Sequence, residues 1–220
     1  MRVAIAGAGA VGRSIAKELL GNGHEVLLID KNPRSIKVHS VPRAEWLLAD
    51  ACEIEALDDA SLERCNVVIA ATGDDKVNLV MSLLAKTEYG VPRVVARINH
   101  PNNEWLFNES WGVDVAVSTP RLLSALVEEA VSVGDLVRLM TFRQSQASLV
   151  EMTMAADAPL TGKRFGEIEW PADTALVAIL RGGRVIVPNP DDPLGAGDEL
   201  LFVTSEDVEE ELGHLLSGDR

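Results

Sequence analysis

Short apolar runs recur through the first half of the chain, at Val3 to Ala6, Val26 to Ile29, Glu45 to Ala49, Val67 to Ala71, Arg93 to Ile98 and Val113 to Val117. Near-continuous apolar runs of this kind, bounded by turn residues, read as strands covered on both faces. Between them lie longer stretches with apolar residues at helical spacing, near Val11 to Leu20, Asp75 to Thr87 and Asn102 to Glu109, with a short one after Asp50. Alternation of strand and helix predicts an α/β fold built on a doubly wound parallel sheet. Binding sites in such sheets lie at the carboxyl ends of the strands, where the loops holding Gly7, Asp30, Asp50 and Thr72 fall.

Thr119-Pro120 after the sixth run offers an N-cap followed by proline at the first helical position, a strong start signal. The helix that follows carries Leu122, Leu123, Leu126, Val127, Ala130 and Val131, a broad apolar stripe open to two readings. It either packs on its own domain or exchanges with a second subunit. Beyond Gly134 the rhythm changes to short strand-like runs at Val137 to Phe142, Ser148 to Met154, Ala175 to Arg181, Arg184 to Val187 and Leu200 to Thr204. Arg181-Gly182-Gly183-Arg184 reads as a hairpin turn, and the proline-rich segment 188–193 as a loop. A second, smaller α+β domain is therefore expected over residues 137–217, after a first domain of residues 1–133 and a linker near Val133 to Asp135.

Composition narrows the class. With 47% apolar residues in 220, the chain can bury a substantial core. Its apolar runs are strand-length, far below the ~18 residues a membrane-spanning helix needs. Met1-Arg2 runs directly into the first strand, so a cytoplasmic location is expected. A formal net charge of −14 and the lack of a basic cluster argue against nucleic acid as a partner. The acidic residues Glu206, Asp207 and Glu209 to Glu211 read as a solvated helix face. Cys52 and Cys65 form no metal-ligand spacing and are expected to remain thiols.

The candidate chemistry begins with Gly7-Ala8-Gly9-Ala10-Val11-Gly12, directly after the first strand. Gly7 permits a tight turn, Gly9 lets the backbone approach a pyrophosphate, and Gly12 lets the next helix pack closely on the sheet. The helix begun near Ala10 aims its free amides and positive dipole end at the phosphates. Asp30 ends the second strand at the offset of a carboxylate that accepts from a ribose diol, with Lys31 beside it. A carboxylate there disfavours a 2′-phosphate, so NAD, or another adenosine with a free 2′-hydroxyl, is preferred. Asp50-Ala51 could meet the adenine edge, Thr72-Gly73 leaves room for ribose and pyrophosphate, and Arg97 could pair with a phosphate. Each of these, taken singly, reads equally well as a cap or a surface ion pair.

A dehydrogenase needs an acid or base beside the transferred hydride, and the supply is poor. His24 sits in a turn, His39 in a loop or helix end, His214 in the terminal acidic helix, and Tyr89 at a helix end. His100 lies nearer the strand ends, but beside Pro101-Asn102-Asn103 it resembles cap chemistry.

Together the glycine loop, Ile29-Asp30, Leu48 to Ala51, Ala71 to Asp75 with Asn78, and Val95 to Ile98 resemble the N-terminal Rossmann domain of TrkA-type regulators of potassium conductance, the RCK family. Pro159 to Lys163 and Pro193 to Leu200 resemble that family's C-terminal module. The resemblance implies a cytosolic, non-enzymatic subunit, peripheral at the inner face of the membrane, that gates a membrane potassium transporter or channel. It implies a homodimer through the helix holding Leu122 to Val131, assembled into a larger ring or joined by a paralogous regulatory chain. It also implies that Gly7 to Val11 cradle the pyrophosphate, Asp30 holds the adenosine ribose, Thr72 and Gly73 line the far side, and Arg97 meets a phosphate or the nicotinamide half. Ala10 stands where ATP-responsive members often carry an arginine, which favours NAD or NADH over ATP or ADP, with Arg13 one turn on. Two other readings stay open: a small NAD-dependent oxidoreductase, and a C-terminal module that binds its own effector, such as a cyclic dinucleotide.

Overall fold

The computed structural model describes residues 1–131, 133–142 and 147–218, with the side chains of 129 and 130 excepted. It divides into two compact units, Met1–Arg121 and Leu122–Arg220. The division falls inside a helix, α4 (Thr119–Val131), whereas the sequence predicts a first domain that runs on to residue 133.

In the first unit β1 (Arg2–Ala6), α1 (Ala10–Gly21), β2 (Glu25–Asp30), β3 (Glu45–Leu48), α2 (Ile54–Asp59), β4 (Val67–Ala70), α3 (Asp75–Thr87), β5 (Arg93–Ile98) and β6 (Val115–Ser118) alternate as expected. The six strands are parallel, in the order β3-β2-β1-β4-β5-β6. The order reverses between β1 and β4, and such a reversal opens a crevice at the strands' carboxyl ends. Period-two alternation sends the two faces of β1 into separate cores. Val3 and Ile5 pack with Ala16 and Leu20 of α1, whereas Ala4 and Ala6 pack with Leu79 and Met81 of α3. Gly12 secures the α1 face, because a Cβ there would lie 1.8 Å from the Gly7 carbonyl oxygen.

Two elements depart from expectation. The predicted helix over Asn102 to Glu109 is two 3-10 segments, Pro101–Leu106 and Glu109–Trp111. The ring of His100 accepts the Asn102 amide, and the side chain of Asn108 accepts the Ser110 amide. These local bonds draw backbone donors away from a continuous helix and restart the chain at Asn108. The sixth strand likewise begins at Val115 rather than Val113, because Gly112 turns at φ +72° and the Val113 amide is held by the Asn108 carbonyl.

The second unit holds β7 (Val137–Phe142), β8 (Ala147–Thr153), β9 (Thr174–Arg181), β10 (Arg184–Ile186), β11 (Glu199–Ser205) and α5 (Glu209–Ser217). Its sheet is antiparallel, ordered β10-β9-β11-β8-β7. Val150, Met152, Ile179, Leu200 and Phe202 form its core with Leu212 and Leu216 of α5. Gly182 and Gly183 both take positive φ, as a tight two-residue hairpin turn requires. Buried Asp198 receives two 2.6 Å bonds from Arg181 and a 2.7 Å bond from the Gly195 amide, locking the turn before β11. Burial alone would raise the Asp198 pKa, but the Arg181 guanidinium and that amide hold it below the usual carboxylate range.

Leu122, Leu123, Leu126, Val127 and Val131 of α4 are all exposed. Ala130 of the same predicted stripe falls outside the described side chains. Among the described residues no helix is long and apolar enough to cross a membrane.

Candidate nucleotide site

A cavity of about 570 Å³ opens at the carboxyl ends of the parallel strands, within the ~300–1,000 Å³ range of small-molecule and cofactor pockets. Of the residues singled out in the sequence, Gly7, Gly9, Ala10, Val11, Asp30, Lys31, Asp50, Ala51, Thr72, Gly73 and Arg97 line it. Ala8 and Gly12 stand behind the wall. Asp74, part of the motif at Ala71 to Asp75, also lines it, as do Asn32, Ser35 and Val77, which carried no separate signal in the sequence.

The amides of the glycine loop divide into two sets. Those of Gly7 and Ala8 are used inside the protein, the first by the Ile29 carbonyl and the second by Asp30 Oδ2, each at 2.8 Å. The N-terminus of α1 has no side-chain cap, and the Gly9, Ala10 and Val11 that open it line the cavity. Unpaired amides and a positive dipole end there suit an anion. A Cβ on Gly9 would meet no protein atom within 4 Å, so its place is open space. By contrast Gly7 turns at φ +103°, where a Cβ would sit 2.8 Å from the Ala71 carbonyl oxygen. Arg13 donates back to the Ala8 carbonyl and bolts the loop to its helix.

Asp30 is oriented by the Ala8 and Asn32 amides, one on each carboxylate oxygen at 2.8 Å. A carboxylate offers about four lone-pair sites, so about two remain for a diol. Across the cavity Asp50 accepts the Cys52 amide at 3.0 Å and the Lys31 ammonium at 3.1 Å. Those bonds outweigh burial and hold the Asp50 carboxyl below its usual range, while the bond to Asp50 raises the Lys31 amine. Asp74 is a helix cap, accepting the Lys76 amide at the start of α3.

The far wall rests on a buried polar hub. Asn78, fully buried, accepts from the Thr72 amide and hydroxyl and donates to the carbonyls of Thr72 and Arg97. Asp75 accepts the amides of Asn99 and His100 and the side chains of Asn99 and Asn103. Burial pushes the Asp75 carboxyl up, but these donors prevail and hold it low. Thr72 is thus a fixed wall, its amide and hydroxyl already committed. Neither histidine nor tyrosine lines the cavity among the described residues.

Residues 3–119 match the TrkA-N domain and residues 149–217 the TrkA-C domain. The chain is 61% identical over 216 residues to the Trk system potassium uptake protein TrkA of Mycobacterium tuberculosis (strain CDC 1551), covering 98% of each chain. It is 28% identical to a TrkA homolog of Methanothermobacter thermautotrophicus, over 99% of this chain and all of that one. Among solved structures, the GsuK channel bound to NAD superposes with a TM-score of 0.70 at 16% identity, covering 97% of this chain and 39% of the channel chain. At that identity the likeness speaks for the fold alone.

Proposed function

Since this chain belongs to the TrkA family of potassium uptake proteins, we propose that it is a nucleotide-sensing regulatory subunit of a potassium transport system. Its ligand is NAD or NADH, held in the cavity above β1 and β4. The observation that carries this reading is the uncapped start of α1 facing that cavity across open space at Gly9. Gly9, Ala10 and Val11 receive the diphosphate, Asp30 the adenosine ribose through its spare lone pairs, and Arg97 the second phosphate or the nicotinamide half. Asp50 and Ala51 border the adenine, and Thr72 and Gly73 the opposite wall. The carboxylate of Asp30 discriminates against a 2′-phosphate, and Ala10 brings no guanidinium to a terminal phosphate, which favours NAD(H) over NADP(H) and ATP.

Among the described residues the cavity is lined by no histidine or tyrosine that could serve hydride chemistry, and its Asp30 carboxylate is assigned to the ribose. Lys31 and Asp50 neutralise each other, and Asp74 caps a helix. The dinucleotide is therefore read and released unchanged, and acts by binding one conformation better than another. The exposed stripe of α4 supports self-association: five large apolar side chains on one helix are expected to be covered by a second copy, in a dimer that builds a larger ring or pairs with a paralogous chain. The membrane partner is a potassium transporter or channel, with this subunit on the cytoplasmic face. Tagged protein purified from its own cells in mild detergent is expected to retain such a transporter, and recovery of soluble proteins alone would contradict the partnership.

A further inference from the structure

We propose that Arg97 couples the contents of the nucleotide cavity to the first turn of α4, through its bond to Thr119. The inference rests on the reading of that cavity as a dinucleotide site. Arg97 lines the cavity, and its Nε donates to Thr119 Oγ1 at 3.1 Å, on the opening residue of the helix. Its backbone is fixed, since the Arg97 carbonyl accepts from buried Asn78 and the residue pairs in register with Val117 of β6. Its terminal amino groups have no protein acceptor among the described residues.

A guanidinium is planar and donates in set directions. An anionic group taking the terminal edge fixes the plane, and with it the direction of the Nε–H that holds Thr119. Without ligand, the bond to Thr119 is the guanidinium's one hydrogen bond among the described residues, and its terminal edge is left to be fixed by whatever the cavity holds. A second tie holds the same turn, from Arg121 to Glu104. That tie is anchored differently: the neighbouring Asn103 is bonded to Asp75, the acid that also gathers Asn99 and His100. Of the two ties, only the one through Arg97 touches the cavity. The strand-to-helix junction between them is also incompletely satisfied, because the buried Ser118 hydroxyl has no partner among the described residues. A junction with an unmet buried group gives up less by rearranging than a saturated one. Thr119 and its tie thus form the adjustable side of the helix start, and the exposed apolar stripe begins three residues on, at Leu122.

The test is amide hydrogen exchange on the full chain with and without saturating NADH, read over residues 119–131, for the wild type, Thr119→Val and Thr119→Ser. Threonine to valine keeps the shape and removes the acceptor, while serine restores it. The wild type and Thr119→Ser are expected to show exchange in α4 slowed several-fold by NADH. Thr119→Val should bind NADH within about twofold of the wild type yet show no slowing in α4. Slowing that persists in Thr119→Val overturns the coupling, as does a wild type that binds NADH with α4 unchanged. A wild type that does not bind NADH overturns the nucleotide reading itself, a distinct result.

Discussion

Replacing Gly9 with alanine separates folding from binding at the glycine loop. Gly9 precedes α1 at φ −66° and ψ −170°, a backbone any residue adopts, and an added Cβ meets nothing within 4 Å. Two small terms act on the ligand-free protein. Alanine restricts the unfolded chain, which stabilises by about 0.4–1 kcal/mol. It is also a poorer N-cap than glycine, which costs a comparable amount, on the order of 0.5–1 kcal/mol. The net change in stability is therefore expected to stay within about 0.5 kcal/mol. The bound state differs entirely. The Cβ enters the open space beside the uncapped amides, where the diphosphate is to lie in backbone contact, and pushes the phosphates off their donors. Losing two charge-assisted bonds at about 1.5–3 kcal/mol each weakens NADH binding by at least ~100-fold, about 2.7 kcal/mol. Denaturant unfolding and NADH titration calorimetry on the same preparation read the two quantities. An alanine variant that binds NADH within about twofold of the wild type would refute the placement of the diphosphate on this loop.

Gly12→Ala should behave oppositely, destabilising the ligand-free first unit by about 3 kcal/mol because its Cβ would stand 1.8 Å from the Gly7 carbonyl oxygen; thermal unfolding measures it, and an unchanged midpoint would contradict the packing. Asn78→Leu removes the donors and acceptor that hold Thr72 and the Arg97 carbonyl, at an expected ~3 kcal/mol or more, read by chemical denaturation. In the second unit, Asp198 has a lowered folded pKa, so its stabilisation is complete above the unfolded carboxylate value and is lost as pH falls through the folded one. Protection of the β11 amides, measured against the intrinsic exchange rate at each pH, should therefore fall below about pH 4, and Asp198→Asn should flatten that dependence while lowering stability at neutral pH. Leu123→Glu with Leu126→Glu, both on exposed positions of α4, should leave the fold intact and shift sedimentation toward monomer; an unchanged species would remove α4 from the subunit interface.

The sheet was legible because strands covered on both faces must be apolar along their length, so Val26 to Ile29 and Val67 to Ala70 stand out without any partner in view. The glycine loop was legible for a related reason: its spacing is dictated by backbone approach, which only glycine permits at Gly7 and Gly12. What stayed hidden depends on contacts distant in sequence. Asp75 reads as the acid that opens a predicted helix, yet it is buried because Asn99, His100 and Asn103, more than twenty residues on, bring it their donors. The division within the glycine loop is hidden in the same way, since the Ala8 amide turns to Asp30 and leaves the open donors to Gly9, Ala10 and Val11. The segment from Asn102 to Glu109 misled because its apolar spacing suits a helix while His100 and Asn108 compete for the backbone. The link from Arg97 to Thr119 joins a strand to a helix start across a parallel crossover, and no local pattern announces it.

Whether this cavity takes a dinucleotide is measured directly by titration calorimetry of the full chain with NADH, NAD and ATP. Saturable binding of NADH or NAD at one per chain, tighter than ATP, is the predicted result. The absence of saturable heat with all three would contradict it.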